Sequence, residues 1–335
     1  MRALICSAFG DPPTLSLGEM PSPRPAADEL LVDVEAVGLG YFDTVLLRGI
    51  YQEKPALPFV PGREFCGVVA EAGTDMDAAL VGKRIAGISF TGCLAERALV
   101  KRGHFMVLPD GMDPVTGSAF LSAYATMLYA LENCGAQKPG ERVLVLGAAG
   151  TVGQAAIDIA RALGGHVVAA ASAEAKRAAA TARGAHGVTD YTAADWRDQL
   201  RAAAPTGFDI VVDPVGGGYS ETAFRHLAPG GRHLVIGFSA GEVPRLPFNL
   251  PLLKRASLVG VDWGGFSQQE PEANAALLLR LHDMLADGRL TPKASRTYGI
   301  GEVGEVVADL QARRSIGKPV ILLRGKWPGQ DVAGE

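Results

Sequence analysis

The chain of 335 residues has few cysteines, little excess charge and no marks of an exported or membrane-spanning protein. Its cysteines, which form no C-x-x-C pair and no disulfide framework, are Cys6, Cys66, Cys93 and Cys134. Lysine plus arginine number 32 and aspartate plus glutamate 36, so the formal net charge is −4, which is atypical of a nucleic-acid surface. No apolar run is long enough for a bilayer, and the start MRALICSAFG does not resemble a signal peptide. We expect a cytoplasmic protein that binds neither nucleic acid nor membrane.

What is present indicates two domains, as the length suggests. Before about residue 120, short β-like runs alternate with glycine- and proline-rich turns, which predicts a mostly β domain. The predicted strands there are Leu30–Val37, Gly67–Glu71, Arg84–Ile88 and Ala95–Val100. From residue 140 onward, apolar runs alternate with helical patterns, which predicts a doubly wound parallel sheet. Its strands are Arg142–Leu146, His166–Ala171, Gly187–Asp190, Asp209–Asp213, Arg232–Ile236 and Leu258–Val261.

The C-terminal part of the chain adds two helices, predicted at Glu272–Asp287 and Ile300–Arg313, and a last strand at Pro319–Leu323. Because the six-stranded sheet is already complete, we assign this part to the first domain. The predicted division is therefore residues 1–123 and 264–335 for one domain and residues 124–263 for the other.

A glycine-rich turn joins the first strand of the parallel sheet to a helix. Gly147, Gly150 and Gly153 stand in the spacing G-x-x-G-x-x-G directly after the apolar run 143–146. Such glycines allow a tight turn, close approach of a pyrophosphate and close packing of helix on strand. The N–H groups at the start of the helix then bind phosphate. We predict dinucleotide binding by these glycines together with Thr151 and Val152.

The end of the next strand, Ala169–Ala171, indicates which nicotinamide dinucleotide binds. NAD-binding proteins place an acid there for the ribose hydroxyls, whereas NADP-binding proteins omit it and supply cations. Here Ser172 follows the alanines, with Lys176 and Arg177 close behind, so we predict NADPH. Glu174 is the alternative ribose acid, although an acid in a first helical turn is also typical of a solvated residue.

Further motifs run in order along the whole chain: RGIY at 48–51, PGREFCG at 61–67, FDIVVDPVGG at 208–217, GGRHLVIGF at 230–238 and GKPV at 317–320. Together with the glycine-rich turn, they resemble the medium-chain dehydrogenase/reductase superfamily. Within it, the chain resembles the zinc-free quinone oxidoreductase branch, which includes zeta-crystallin. The resemblance implies an α/β protein with a GroES-like, mostly β catalytic domain made from both chain ends. A Rossmann domain with a doubly wound parallel sheet lies between those ends in the sequence.

The resemblance also implies cofactor contacts. It places Thr126 near the nicotinamide, and Lys176 and Tyr191 near the adenosine 2′-phosphate. The strand ends that line the cofactor groove carry Val215, Gly237 and Phe238. Ser172 is assigned by proximity alone, because the family's serine aligns with Ala173. The family often forms dimers through edge strands of the cofactor sheet, which makes Leu258–Val261 the edge of an expected homodimer.

The residues at the family's metal positions argue against a zinc ion. Related alcohol dehydrogenases carry a Gly-His-Glu where this chain has Gly62-Arg63-Glu64, and arginine has no lone pair to donate. The matching cysteine position, around Gly40 and Tyr41, holds no cysteine, and the chain lacks a four-cysteine lobe. We predict that the protein holds no metal.

Without a metal to polarise an alcohol or ketone, conjugate reduction is the simpler chemistry. Hydride adds to the β-carbon of an enone, and hydrogen bonds stabilise the enolate oxygen. Candidate catalytic residues are Tyr41 and Tyr51 as proton donors and Arg63 as the group that holds an enolate or a substrate carboxylate. The alternatives are that the tyrosines form an aromatic wall and that Arg63 pairs with Glu64 or Asp43, which is the interpretation we favour for Arg63.

The sequence therefore predicts a zinc-independent, NADPH-dependent oxidoreductase that transfers hydride to a quinone or an α,β-unsaturated carbonyl compound. Gly40 stands where the family commonly has a substrate-facing asparagine, which leaves open a dedicated enoyl reductase of a biosynthetic pathway. A low-turnover NADPH-binding protein is the third alternative.

Overall fold

The computed structural model describes residues 1–323, which contain fifteen strands. In chain order they are β1 (Arg2–Ala8), β2 (Thr14–Glu19), β3 (Glu29–Gly38), β4 (Glu64–Ala72), β5 (Arg84–Ile88), β6 (Arg97–Lys101), β7 (Phe105–Val107), β8 (Arg142–Leu146), β9 (His166–Ala170), β10 (Gly187–Thr189), β11 (Phe208–Asp213), β12 (Leu227–Val235), β13 (Ser257–Gly260), β14 (Thr297–Gly299) and β15 (Val320–Leu322).

The same residues contain eleven α-helices: α1 (Tyr41–Leu47), α2 (Pro114–Gly117), α3 (Leu121–Leu128), α4 (Thr151–Ala162), α5 (Glu174–Ala182), α6 (Trp196–Ala203), α7 (Gly218–Arg225), α8 (Asn249–Lys254), α9 (Trp263–Gln269), α10 (Pro271–Ala286) and α11 (Val303–Gln311). Two 3₁₀ turns, Ala78–Leu80 and Ile300–Glu302, and a π-helical turn, Tyr129–Cys134, complete the helical structure. Of these described helices, none has the length and hydropathy to cross a bilayer.

The chain divides into two compact units. The first unit contains Met1–Ser122 and the described residues from Pro292 onward, and the second unit contains Ala123–Thr291. In the first unit, seven strands form a sheet in the order β14-β15-β3-β4-β5-β7, with β6 paired to β3, while β1 and β2 form a separate pair. Because β15 pairs with β3, both ends of the described chain build one sheet, as the resemblance implies.

The second unit is built on six parallel strands in the order β10-β9-β8-β11-β12-β13. Numbered within the sheet, this is the order 3-2-1-4-5-6 of a Rossmann fold, and the strand order reverses between β8 and β11. Strands β8 and β11 are buried along almost their whole length, because helices cover both faces of such a sheet. The predicted α/β class with a GroES-like unit and a Rossmann unit is confirmed.

The observed division differs from the predicted boundary at residues 263/264, since α9 and α10 belong to the second unit. The ring of Phe266 on α9 stacks on Tyr129, with centroids 4.4 Å apart. Arg280 on α10 forms an ion pair with Glu132 of the same π-helical turn. These contacts hold both helices on the second unit, and an amphipathic pattern alone does not reveal which core a helix covers.

Candidate cofactor and substrate sites

Two glycines of the predicted turn after β8 are required by the fold itself. Gly147 adopts φ = +58°, a left-handed conformation that favours glycine. At Gly153, an added Cβ would lie 2.3 Å from the carbonyl oxygen of Gly147 and 2.6 Å from the Cα of Ala148. A side chain there would push α4 away from β8, so Gly153 allows the close packing of helix on strand.

At Gly150, the N-cap of α4, neither the backbone conformation nor the packing requires a glycine. Its φ of −75° and ψ of 170° are open to any residue. Among the described residues, only the carbonyl oxygen of Gly147, at 3.4 Å, lies within 4 Å of a Cβ added at Gly150. The exposed space beside the start of α4 is therefore open to a ligand, and the opening N–H groups of a helix have no acceptor within the helix. A pyrophosphate fits this position.

The ends of β9 and β10 bring Ser172 and Tyr191 to one edge of the sheet. Ala170 and Thr189 are paired in the sheet, and the N–H of Ala171 donates to the carbonyl of Thr189 at 3.1 Å. Two residues beyond each of the paired positions come Ser172 and Tyr191. The ring of Tyr191 packs on those of Tyr219 and Trp196, with centroids 4.5 and 6.2 Å away, so its orientation is fixed by an aromatic cluster.

Two cations lie near the end of β9. Arg177 donates to Asp190 at 2.7 Å and to the carbonyl of Ala171 at 3.2 Å. Lys176 lies half-buried on the same helix, and the resemblance implies that it is near the 2′-phosphate. Glu174 is exposed in the first turn of α5, where an acid interacts favourably with the helix dipole without any ligand.

The loop after β11 is held by the buried carboxylate of Asp213. It accepts the N–H groups of Val215 at 2.9 Å and Gly216 at 2.8 Å, and it also accepts from Ser220 and from Nε2 of His233 at 3.0 Å. Burial opposes ionisation, but these hydrogen bonds, that of His233 foremost, lower the pKa of Asp213 below its usual value. Asp213 therefore caps the backbone at the strand end, and its oxygens are occupied.

Two further predicted residues lie on the neighbouring strand end. The N–H of Gly237, just past β12, donates to the carbonyl of Asp213 at 3.4 Å, and Phe238 follows with 40% of its surface exposed. A Cβ added at Gly147 would come within 2.8 Å of the side chain of Val215. The structure thus brings the loops after β8, β11 and β12 together, where the strand order reverses.

A buried cluster that the sequence did not predict links α3 to α4 and to the end of α5. The hydroxyl of Tyr124 bonds to Asp158 and to Arg183. Arg183 also donates to both oxygens of Asp158, from Nε at 3.0 Å. Tyr124 lies two residues before Thr126 on α3, so this cluster fixes the helix that carries the predicted nicotinamide contact.

In the first unit, two of the three predicted catalytic residues, Tyr51 and Arg63, lie at an aromatic cluster. Phe42 packs on Tyr51 and Phe90, with ring centroids 4.8 and 6.1 Å away, and the guanidinium carbon of Arg63 lies 4.5 Å from the centroid of Phe42. Tyr41 is the first residue of α1, and 41% of its surface is exposed.

The favoured pairing of Arg63 with Glu64 or Asp43 is wrong. Glu64 is buried and forms its ion pair with Lys318, which is also buried. Asp43 accepts the N–H of Gly40 at 2.8 Å through one oxygen, while its other oxygen has no hydrogen-bond partner among the described residues. Within residues 1–323, Arg63 makes no ion pair with either acid.

The half-satisfied carboxyl of Asp43 is unusually hard to ionise. Burial raises its pKa to about 6, although the Gly40 N–H, Lys318 and Arg63 act in the opposite direction. Asp43 fixes the start of α1 as an N3 residue bonded to the N-cap backbone.

Comparisons with known proteins agree with this arrangement of units. Residues 26–128 match the family described as "Alcohol dehydrogenase GroES-like domain" and residues 151–279 the family described as "Zinc-binding dehydrogenase". The chain is 32% identical over 326 residues to rat quinone oxidoreductase-like protein 2, covering 96% of this chain and 92% of that protein. The chain belongs to the medium-chain dehydrogenase/reductase superfamily, in its quinone oxidoreductase branch.

Solved structures of the superfamily superpose on nearly the whole chain. The quinone oxidoreductase of Thermus thermophilus, solved alone and in complex with NADPH, has a TM-score of 0.83 and 31% identity, covering 96% of this chain and 100% of the other. A mycobacterial protein solved in complex with NADPH has a TM-score of 0.88 and 28% identity over 96% and 100%. The similarity therefore extends over both units.

One of the matching families is described as zinc-binding, but the residues of this superfamily member do not fit a zinc ion. Arg63 offers no lone pair where the zinc enzymes have a histidine. Two buried cysteines of the first unit are poor ligands as placed, since burial raises the pKa of Cys66 to about 12 and also raises that of Cys93. Across residues 1–323, no three histidine, cysteine or acidic side chains are grouped so as to hold a metal ion.

Proposed function

We propose that this oxidoreductase uses NADPH, without zinc, to reduce a quinone or an α,β-unsaturated carbonyl compound. The observation that carries the proposal is the edge of the second unit's sheet. There, a turn left open at Gly150 adjoins a strand end with no acid at the ribose position. Solved relatives that bind NADPH support the same assignment.

The residues of the second unit suit each part of the cofactor. The start of α4 would bind the pyrophosphate, the ends of β9 and β10 the 2′-phosphate, and α3 with the later strand ends the nicotinamide. In that order the residues are Gly147, Gly150, Thr151, Val152 and Gly153; Ser172, Lys176 and Tyr191; and Thr126, Val215, Gly237 and Phe238. Bound NADPH supplies a hydride.

The substrate gains that hydride at its β-carbon and a proton at its α-carbon, so its C=C bond becomes a single bond; a quinone gains the same two components at its ring oxygens. We assign proton donation to Tyr41, because its side chain is exposed at the start of α1. Tyr51 packs against Phe42 and forms an aromatic wall. Arg63 supplies the positive charge that stabilises an enolate or a bound anion.

We further propose a cytoplasmic homodimer joined along β13, the edge strand of the parallel sheet. Its Leu258 is 54% exposed, and the neighbouring segment exposes still more apolar surface, on Phe248 (94%), Leu252 (77%) and Leu253 (73%). Such a patch on an unpaired strand edge is typical of an interface. Leu258→Lys should shift sedimentation from dimer to monomer, and an unshifted dimer would exclude this edge.

A dedicated enoyl reductase is the second candidate, favoured by Gly40. Within the described chain, a Cβ added at Gly40 would meet nothing closer than an oxygen of Asp43 at 4.0 Å. The backbone there, at φ = −138°, is open to any residue. A larger side chain would therefore fit at this position. Because the chain has a glycine there instead, the space remains available for a bulkier acyl substrate.

An acceptor panel followed by NADPH absorbance tests the proposal, with quinones, simple enones and an enoyl thioester, each with NADPH and with NADH. We expect oxidation of NADPH by quinones or enones, at rates unaffected by chelators. Faster turnover of the thioester than of every small acceptor would favour the dedicated reductase. Failure to bind NADPH in a calorimeter, or stoichiometric zinc required for activity, would contradict the proposal.

A further inference from the structure

Arg63 lies in the first unit with its cation held but not neutralised. Within residues 1–323 its guanidinium donates no hydrogen bond and makes no ion pair within 4.0 Å. Arg63 is only partly exposed. Most of the other partly exposed arginines among the described residues are paired with an acid, as Arg183 is with Asp158. A guanidinium carries five N–H donors, and none of those of Arg63 has a protein acceptor within residues 1–323, so they are available to a ligand.

Neither neighbouring acid is paired with Arg63. Glu64 is paired with Lys318, and Asp43 turns one oxygen toward the N–H of Gly40 at 2.8 Å, while its other oxygen is buried without a hydrogen-bond partner among the described residues. Burial also disfavours the charged form of Asp43. The positive charge of Arg63 therefore remains for something outside the described chain.

Arg63 is held at its backbone and at its guanidinium. The backbone carbonyl of Arg63 accepts the N–H of Ser89 at 2.8 Å and the thiol of Cys93 at 3.4 Å, while the guanidinium lies over the ring of Phe42. Such a contact uses the face of the guanidinium and leaves its in-plane N–H groups available. Those N–H groups match the two oxygens of a carboxylate.

We infer that Arg63 binds a carboxylate carried by the substrate, so that the preferred acceptor is an anionic enone or quinone rather than a neutral one. The aromatic faces of Phe42, Tyr51 and Phe90, grouped within about 6 Å of one another, supply a surface for the flat conjugated part of such a molecule. The inference rests on the proposed function and names its substrate class.

The test compares an acid with its own methyl ester. The probes are (E)-4-oxo-4-phenylbut-2-enoic acid, which is anionic at neutral pH, and its methyl ester, which has the same conjugated system. We expect kcat/KM to favour the acid in the wild type. In Arg63→Gln the acid-to-ester ratio should fall about tenfold or more, with Arg63→Lys in between, because a lysine keeps the charge but loses the two-pronged geometry.

Arg97→Gln is the matched control, because it removes one positive charge from the same unit at an exposed arginine paired with Asp33. Its acid-to-ester ratio should equal that of the wild type. An equal loss for acid and ester in Arg63→Gln, with the ratio within about twofold of the wild type, would overturn the inference.

A binding measurement separates this inference from the proposed function. The saturated acid 4-oxo-4-phenylbutanoate needs no turnover, and calorimetry with NADP⁺-loaded protein should show about tenfold weaker binding to Arg63→Gln than to the wild type. Equal binding to both proteins, or none to the wild type, overturns the role of Arg63. If the acid binds as expected but no acceptor oxidises NADPH, the carboxylate site stands and the proposed reaction fails.

Discussion

The two units hold their candidate sites by different means. In the second unit the site is made of backbone: a turn with two sterically required glycines, helix N–H groups and strand ends held by Asp213. In the first unit the site is made of side chains, an aromatic cluster with Arg63 over the ring of Phe42 and a buried acid, Asp43, in the first turn of α1. Backbone geometry tolerates little change, whereas side chains can be exchanged one at a time. We therefore expect binding of the dinucleotide's pyrophosphate to depend on the fold itself, and substrate choice to be adjustable through single side chains.

The largest effects that would test this comparison are expected from substitutions in the glycine-rich turn. Gly153→Ala places a Cβ 2.3 Å from a backbone oxygen, so we expect a lower melting temperature and loss of measurable NADPH binding. Gly150→Ala meets nothing closer than 3.4 Å, so it should keep the melting temperature but weaken NADPH binding at least about tenfold. Calorimetry and thermal unfolding measure both effects.

The control for these two variants is Gly304→Ala on α11, where an added Cβ has no neighbour within 4 Å among the described residues. It should leave NADPH affinity unchanged. If Gly150→Ala bound NADPH as tightly as the wild type, the open space at the start of α4 would not be the pyrophosphate site.

On the side-chain half of the comparison, Tyr41→Phe should lower kcat at least about tenfold while NADPH affinity changes less than about twofold, because the role that we propose for this hydroxyl is to donate a proton to the substrate. Tyr51→Phe, which keeps the packing on Phe42, should lower kcat less than Tyr41→Phe does. Steady-state kinetics with one quinone and one enone provide the measurement. Unchanged turnover in Tyr41→Phe would remove Tyr41 as the donor and leave it as part of the pocket wall.

Among the residues that we assign to the 2′-phosphate, Lys176 should affect coenzyme preference most, because it carries a positive charge. Lys176→Gln should lower the ratio of kcat/KM for NADPH to that for NADH by about tenfold, because a charge-assisted contact to the 2′-phosphate is lost. Arg177→Gln should leave the ratio nearer the wild-type value and lower stability instead, since Arg177 is paired with Asp190. A larger effect on the ratio from Arg177 than from Lys176 would reverse this assignment.

A last expected effect, on stability and not on binding or turnover, concerns Asp43, whose pKa of about 6 in the folded protein exceeds its usual 3.8. Between these values the folded state binds more protons than the unfolded state, so this carboxyl lowers the free energy of unfolding as pH rises through the interval. Asn keeps an acceptor for Gly40 and has no charge. The stability of Asp43→Asn relative to the wild type should therefore rise by about 1–3 kcal/mol between pH 4 and pH 7, measured by urea unfolding. A pH-independent difference would contradict the raised pKa.

The backbone half of the site could be predicted from the sequence because its signals are local. The strand, the three glycines and the helix follow one another within residues 142–162, and the predicted β8 and β5 have the observed bounds. Strand ends that are adjacent in a parallel sheet also follow from the order of strands. These features depend on spacing, which a sequence displays directly.

The side-chain half could not be predicted in the same way, because its contacts join distant positions. Nothing near Glu64 in the sequence indicates that its partner is Lys318, 254 positions later, so the adjacent Arg63 is the natural choice from the sequence alone. The cluster around Tyr124 likewise joins three helices through residues that each resemble ordinary surface positions. The predicted assignment of α9 and α10 to the first unit differs from the structure for a related reason. The apolar face of a helix shows that the helix packs on a core, but not which core.

The order of the two units along the chain has a consequence for folding during synthesis. The second unit is continuous in sequence, so a ribosome makes all of it before residue 292 is added. The sheet of the first unit lacks β14 and β15, and Glu64 lacks the counter-charge of Lys318, until residues 297–322 have been made. We therefore expect the nascent N-terminal segment to stay incompletely folded while the coenzyme-binding unit that is translated after it folds.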